Sequence, residues 1–169
     1  VDSSVAALLL KQQGYNVLGV FMKNFLDVKN TLTKECSFRE DKKMAQKIAY
    51  ILHIPLYIVD FEEEYNQNVI KPMINDYSKN LTPNPDILCN KIIKFPLLWK
   101  CAKKFKADLI ATGHYARIKK TREEYKLLSG KDRTKDQSYF LGELSQYDLS
   151  HTVFPIGNLK KYQVREIAR

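Results

Sequence analysis

The chain predicts an α/β fold: an open, mostly parallel sheet with helices on both faces, followed by a small helical extension. Two observations carry this. Segments of helical periodicity alternate with short apolar runs in the order helix, strand, helix, strand, helix, helix, strand, and parallel strands need crossovers of that kind. The apolar runs are Asn-Val-Leu-Gly-Val-Phe-Met (16–22), Leu-Tyr-Ile-Val-Asp (56–60) and Asp-Leu-Ile-Ala (108–111). They are continuous rather than alternating, as in strands covered on both faces.

Each element follows from local chemistry. Ser-Ser-Val-Ala-Ala-Leu-Leu-Leu-Lys-Gln-Gln (3–13) reads as a helix that Asp2 or Ser3 can cap and Gly14 ends. That helix needs a strand to cross over from, so a first strand is expected before residue 1. A polar loop from Lys23 to about Glu35 leads to helix 37–52, with Met44, Ala45, Ile48, Ile51 and Leu52 on its inward face. Pro55 opens the next strand, and residues 62–79 read as a helix broken near Pro72. In helix 91–104, Ile92, Phe95, Leu98, Trp99 and Ala102 repeat at helical spacing and are predicted to face the core. Residues 115–119 and 125–129 read as a hairpin. From Lys135 onward, short helices joined by turns are expected, with Phe154-Pro155 in one of the turns.

Net charge is +9, from 28 Lys and Arg against 19 Asp and Glu. That excess suits a polyanionic partner, foremost nucleic acid. A hydrophobic fraction of 44% suffices for a core. No apolar run reaches the ~18 to 20 residues of a membrane span, and no signal peptide is visible. Both argue against a membrane partner. Cys36, Cys89 and Cys101 are an odd set without a secretion signal, which fits a reducing compartment rather than a disulfide framework. No Cys-x-x-Cys pair and no Cys/His cluster suggests structural zinc. The chain opens on Val-Asp-Ser-Ser and ends at Arg169 inside a helical pattern, so a fragment is expected.

The chemistry concentrates in Thr-Pro-Asn-Pro-Asp-Ile-Leu-Cys-Asn-Lys (82–91). Two prolines stiffen it and hold the residues before them out of the helical region. Asp86 and Cys89 follow, ahead of a helix expected to begin at about Lys91. A helix N-terminus would stabilise a thiolate at Cys89; the stretch also reads as a structural turn with an incidental cysteine. Ligands in open α/β sheets sit at the carboxyl ends of the strands. Four segments meet there: 1–4, 21–24, the Pro-Asn-Pro-Asp loop, and Thr112-Gly113-His114. Asp2, Ser3 and Ser4 read as an anion cradle or as a routine cap. Gly113 permits close approach, and His114 suits a phosphate or base contact or a structural role. Lys135-Asp136-Gln137-Ser138 could meet a nucleic-acid backbone or cap a helix. Cys101 reads as packing, and Cys36 lies too near Glu40 and Asp41 for a low thiol pKa.

Together these segments resemble the tRNA-specific 2-thiouridylases, ATP pyrophosphatases of the PP-loop superfamily that put sulfur on the wobble uridine of tRNA. The matching stretches are Val-Asp-Ser-Ser-Val-Ala-Ala-Leu-Leu-Leu (1–10), Gly-Val-Phe-Met-Lys-Asn (19–24), residues 82–91, Ala-Thr-Gly-His-Tyr-Ala-Arg (111–117), Lys-Asp-Gln-Ser-Tyr-Phe-Leu (135–141) and Phe-Pro-Ile-Gly (154–157). The resemblance implies ATP and Mg2+ as cofactors, with Asp2, Ser3 and Ser4 at the phosphates or their magnesium. It implies Met22 in the adenine pocket and Gly113 against the nucleotide. It sets Asn84, Pro85 and Asp86 at the target uridine, with Cys89 and Asp86 catalytic. It makes His114, Lys135, Asp136 and Gln137 tRNA contacts. The implied partners are tRNA and a persulfide sulfur-donor protein, in the cytoplasm or a mitochondrial matrix.

The resemblance also implies a division: a nucleotide-binding catalytic domain over 1–130, lacking its first strand and the Ser-Gly-Gly of the phosphate loop, and the start of a helical tRNA-binding segment over 131–169. The family's second cysteine lies beyond the Phe-Pro-Ile-Gly stretch, so this chain alone is not expected to complete a turnover. Two other readings remain at this stage. One is another PP-loop enzyme that adenylates a different acceptor. The other is a basic RNA-binding module without catalysis.

Overall fold

The structure, a computed structural model, describes residues 1–24 and 37–169. They form two compact units, Asn16–Pro83 and the combination of Val1–Tyr15 with Asn84–Arg169. The elements begin with helix α1 (Asp2–Gln12), strand β1 (Gly19–Lys23), helix α2 (Ser37–Leu52) and strand β2 (Leu56–Asp60). Helical runs over 62–78 and 85–104 follow, then β3 (Ile110–Ala111), β4 (Ala116–Lys120) and β5 (Tyr125–Ser129). A 3-10 turn (Ser138–Leu141), a short helix (Gln146–Ser150), β6 (Thr152–Val153) and a last helix (Lys161–Ile167) complete the chain. Helices alternating with parallel strand pairs are the predicted α/β class. Among the described residues the strands pair as three two-stranded sheets: β1–β2 and β3–β6 are parallel, and β4–β5 is antiparallel.

In the unit Asn16–Pro83, β1 and β2 run in register from Gly19 opposite Leu56 to Lys23 opposite Asp60. Lys23 closes the strand ends by pairing with Glu62 at 2.5 Å and Asp60 at 3.3 Å. The covered stripe of α2 is Ala45, Ile48, Ala49 and Leu52, an i, i+3, i+4, i+7 set. Met44 and Ile51, expected on that face, are 59% and 56% exposed. Each sits about 100° off the stripe. The helical run 62–78 does not break at Pro72. A π turn, Asn66–Ile70, precedes Lys71–Ser78. It widens the helix where the proline ring would otherwise meet the carbonyl four residues back.

In the other unit, α1 ends as predicted. Gly14 adopts φ +86, and the amides of Gly14 and Tyr15 donate to the carbonyls of Lys11 and Leu10. The α1 face Val5 and Ala6 packs with Tyr115, Ile156 and Val164, all at most 2% exposed. Residues 131–169, read from sequence as a separate helical segment, thus supply Ile156 and Val164 to the core that α1 builds. A second cluster joins Phe95, Ala116, Leu141 and Phe154. The hairpin forms, its first strand one residue later than expected, from Ala116 opposite Ser129 to Lys120 opposite Tyr125. The strand read at 108–111 forms over Ile110–Ala111, but its partner Thr152–Val153 has no counterpart in the sequence reading, because a two-residue strand carries no periodicity to detect.

Helix 85–104 departs most from expectation. It is α-helical over Pro85–Leu88, a π turn over Cys89–Lys94 and α-helical again over Phe95–Lys104. Cys89, Asn90, Ile93, Phe95, Leu97 and Ala102 are buried along this run. Ile92, predicted inward, is 37% exposed, while Ile93 is 1% exposed. Gly157 fixes where the Phe-Pro-Ile-Gly stretch can lie, since a Cβ there would sit 1.8 Å from the Ala116 carbonyl oxygen.

Gly157→Ala should therefore destabilise the protein by about 2–3 kcal/mol, an overpacking cost. Gly142→Ala should change little, because its Cβ would meet only an ordinary contact at 3.6 Å. Urea midpoints of the two variants check this; equal midpoints would contradict the packing described.

Candidate nucleotide and thiol site

The segment 112–115 joins the N-terminus of α1 to helix 85–104. Gly113 lies against the first turn of α1, where a Cβ would come within 2.6 Å of the Ser3 amide nitrogen and 2.7 Å of the Asp2 carbonyl carbon. Its glycine requirement is thus met by the helix backbone itself.

Tyr115 donates its hydroxyl to Asp2 Oδ1 at 3.1 Å, and Lys161 Nζ grips the same carboxylate at 2.7 and 2.8 Å. Asp2 is therefore an internal anchor, and neither it nor Ser3 caps α1: the cap position is Val1, without a side-chain hydrogen bond. The first-turn amides of α1 carry no side-chain cap. Ser3 is exposed and Ser4 half-buried beside them.

On the far side of Gly113, the His114 ring stacks on Phe95 at 6.1 Å and meets Phe154 edge-on at 6.0 Å. Its Nδ1 lies 2.8 Å from Thr112 Oγ1 and its Nε2 3.4 Å from Lys94 Nζ. Burial, with the Lys94 charge adding to it, pushes its pKa down to about 3, so the imidazole is neutral near neutral pH.

The Pro-Asn-Pro-Asp stretch is the start of the helix rather than a loop ahead of it. Asn84 is the cap residue, its Oδ1 accepting from the Ile87 amide at 3.3 Å, and Pro85 occupies the first helical position. Asp86 lies in the first turn, where a carboxylate favours the helix dipole. Cys89 is consequently the fifth helical residue, and it is 9% exposed.

The expected stabilisation of a Cys89 thiolate by a helix N-terminus does not hold, because that effect fades within the first turn. Burial pushes the thiol up, Lys94 pulls it down and Asp86 adds to the rise. Burial likewise lowers Lys94, against the pull of Cys89 and Asp86. Asn90, 3% exposed, donates from Nδ2 to the Phe140 carbonyl at 3.2 Å and so ties this turn to Ser138–Leu141.

The 135–138 stretch is built inward. Burial alone would raise the Asp136 carboxyl, but the Gly130 and Ser138 amides, the Ser138 hydroxyl and the Gln137 amide outweigh it and hold it low. Gln137 clamps Tyr115: its Oε1 accepts from the Tyr115 amide at 3.1 Å, and its own amide donates to the Tyr115 carbonyl at 3.0 Å. Of the three residues expected at tRNA here, Lys135 alone is exposed.

Met22 lies half-buried in β1, opposite Val59, in the unit Asn16–Pro83. Cys36 lies outside the described residues. Cys101 is half-buried, its thiol raised by burial and lowered by Lys104. Lys94, Tyr115 and Lys161 escaped the sequence reading. The signal for Lys94 was its place in a helix whose neighbours at 93, 95 and 97 are apolar. Tyr115 and Lys161 offered only their types.

Segment 112–115 thus touches the uncapped first turn of α1 through Gly113 and, through His114, Lys94 of the turn that carries the buried Cys89 thiol. All of the chain, residues 1–169, matches the family described as tRNA methyl transferase HUP domain, and the chain belongs to that family. It is 52% identical over 169 residues to a tRNA-specific 2-thiouridylase MnmA of Nitrosomonas europaea, covering 100% of this chain and 46% of that protein. Proteins of the same name from Christiangramia forsetii and Bacillus thuringiensis are 49% and 48% identical over 99% and 100% of the chain, and 44% and 45% of their own length. The chain spans about half the length of the curated relatives it matches. Among the described residues, no helix is long and apolar enough to cross a membrane, and no group of three or more His, Cys, Asp or Glu could hold a metal ion.

His114 makes stability depend on pH. In the unfolded chain the imidazole takes up a proton as pH falls through its ordinary 6.5, whereas the folded protein resists until about 3. This group therefore costs the fold about 1.4 kcal/mol for each pH unit across that window and adds no slope below it. His114→Gln should flatten the fall of the urea midpoint on acidification from pH ~6.5 toward ~4. An unchanged slope would mean the imidazole charges freely in the folded state.

Proposed function

We propose that this chain is the nucleotide-binding part of a tRNA-specific 2-thiouridylase, which activates the wobble uridine of tRNA with ATP and replaces its C2 oxygen by sulfur. The observation that carries this reading is that Gly113 seats against Ser3 while the next residue, His114, reaches Lys94 in the turn that holds Cys89. The names of the relatives give the substrate class.

The residues present fit the phosphates of ATP. The first-turn amides of α1 are uncapped, and the Ser3 and Ser4 hydroxyls lie beside them, a donor set suited to phosphate oxygens. Magnesium would ride on the phosphates, because the Asp2 carboxylate already serves Lys161 and Tyr115. Asp2 then acts from behind, fixing the first turn. ATP supplies activation: it converts the uridine O2 into a phosphate ester that can leave as AMP.

Asp86, at the start of helix 85–104, faces the base with Asn84 and Pro85 and orients or deprotonates groups there. Cys89 acts as the thiolate that attacks the inner sulfur, Sγ, of a persulfidated cysteine outside this chain. The persulfide S–S bond breaks, the outer sulfur leaves as hydrosulfide and adds to C2 as AMP departs, and the two cysteines end as a disulfide. The persulfide comes from a sulfur-donor protein. Lys135, with the basic surface, meets the tRNA backbone, while His114, Asp136 and Gln137 support the site from within.

Cys89→Ser in the full-length protein should abolish thiolation while pyrophosphate release with tRNA and ATP survives. Mass spectrometry of tRNA nucleosides, with a pyrophosphate assay, tests this, and normal thiolation by the variant would refute the reading. A chain of net charge +9 should also lose at least about tenfold in tRNA affinity between ~50 and ~200 mM salt. Filter binding across that range would contradict the polyanion argument if it were flat.

A further inference from the structure

We propose that Lys94 is the positioning residue for thiol chemistry at Cys89: a cation set in the same widened turn as the thiol and locked there by the His114–Thr112 pair. This rests on the reading of Cys89 given above and adds a residue to it.

The turn itself makes the first case. In a plain α-helix, residues five apart point about 140° away from each other. The π turn Cys89–Lys94 has i→i+5 hydrogen bonding, which brings its first and last side chains toward one side. Asp86, three residues before Cys89, falls on that side as well. π turns are uncommon, weakly stable insertions that tend to persist where a side chain must be aimed.

The second case is the lock. An ammonium has donors and no lone pair. With Lys94 Nζ 3.4 Å from His114 Nε2, that nitrogen must be the acceptor, so the ring proton lies on Nδ1 and is donated to Thr112 Oγ1 at 2.8 Å. The ring is fixed by stacking on Phe95 and by the edge of Phe154. His114 thus serves as a neutral hook that holds the ammonium without competing for its charge.

The third case is the charge balance. Among the described residues, the charged or titratable groups that act on Cys89 and Lys94 are Asp86 on their own helix and, at Lys94, His114 from segment 112–115. The turn Ser138–Leu141 supplies the Phe140 carbonyl to Asn90. Lys91, the other cation of the turn, is committed outward to Glu143 at 2.5 Å. Burial works against the thiolate and the Lys94 charge works for it, so the lysine offsets part of the cost of ionising a buried sulfur.

The test reads the thiol directly, in the full-length protein without ATP or tRNA. Iodoacetamide alkylation of Cys89, resolved by peptide mass spectrometry against pH, should show a midpoint about one pH unit higher in Lys94→Met. That is about a tenfold slower reaction near pH ~8. Lys94→Arg should restore most of the difference, and the Cys101 profile should not move. An unchanged Cys89 midpoint in a folded Lys94→Met, or in Lys94→Gln if the methionine variant does not fold, would overturn the proposal. Nitrogen NMR of the unaltered protein decides independently of any variant. The His114 signals should report a protonated Nδ1 and an accepting Nε2, and a protonated Nε2 would overturn the lock. The profile can fail while Cys89→Ser still abolishes thiolation, so the two readings stand or fall separately.

Discussion

Everything near the candidate site hangs on four residues, 112–115, being pressed against the first turn of α1. Gly113 can approach the Ser3 amide as closely as it does only because it has no side chain. Once it is there, its neighbours have no choice of direction. His114 turns toward Lys94, and Tyr115 turns into the core, where its hydroxyl reaches Asp2. Gln137 then holds the Tyr115 backbone by both its amide and its carbonyl. The same contact that packs the unit therefore sets the separation between the helix amides and the thiol-bearing turn. Asp2, His114 and Gln137, read from the sequence as ligand contacts, also make bonds that hold these elements together.

The burial of Cys89 reshapes the chemistry expected of it. A thiol on an exposed loop at a helix N-terminus would ionise easily and react with many partners. A thiol in the second turn, 9% exposed and beside a carboxylate, does not. It needs a local cation and a substrate that excludes water around it. Selectivity follows from that environment, since a guarded thiol is spared from casual oxidation.

Much of the fold was legible in the sequence. The strand runs, the α1 stop at Gly14 and the existence of the hairpin came from apolar pattern and turn chemistry acting locally. The same local logic marked the candidate site, because Asp2-Ser3-Ser4, Gly113-His114 and Asp86 lie at element ends. What escaped was set by geometry that periodicity does not encode. The prolines at 83 and 85 looked like a stretch that ends before a helix, whereas Asn84 and Pro85 begin one. The π turn then shifted the buried face from Ile92 to Ile93. The bonds of Asp136 to Gly130 and of Gln137 to Tyr115, 6 and 22 residues away, could not be read from the local pattern.

The proposed function requires the uncapped amides of α1 and the Cys89 thiol to open on one cavity. Nucleotide protection of the cysteines measures this most directly, by alkylating the full-length protein with and without a non-hydrolysable ATP analogue. A shared cavity predicts that bound nucleotide changes the alkylation rate of Cys89 and leaves that of Cys101 as it was. Saturating nucleotide that leaves Cys89 untouched, or that alters both cysteines alike, would contradict it.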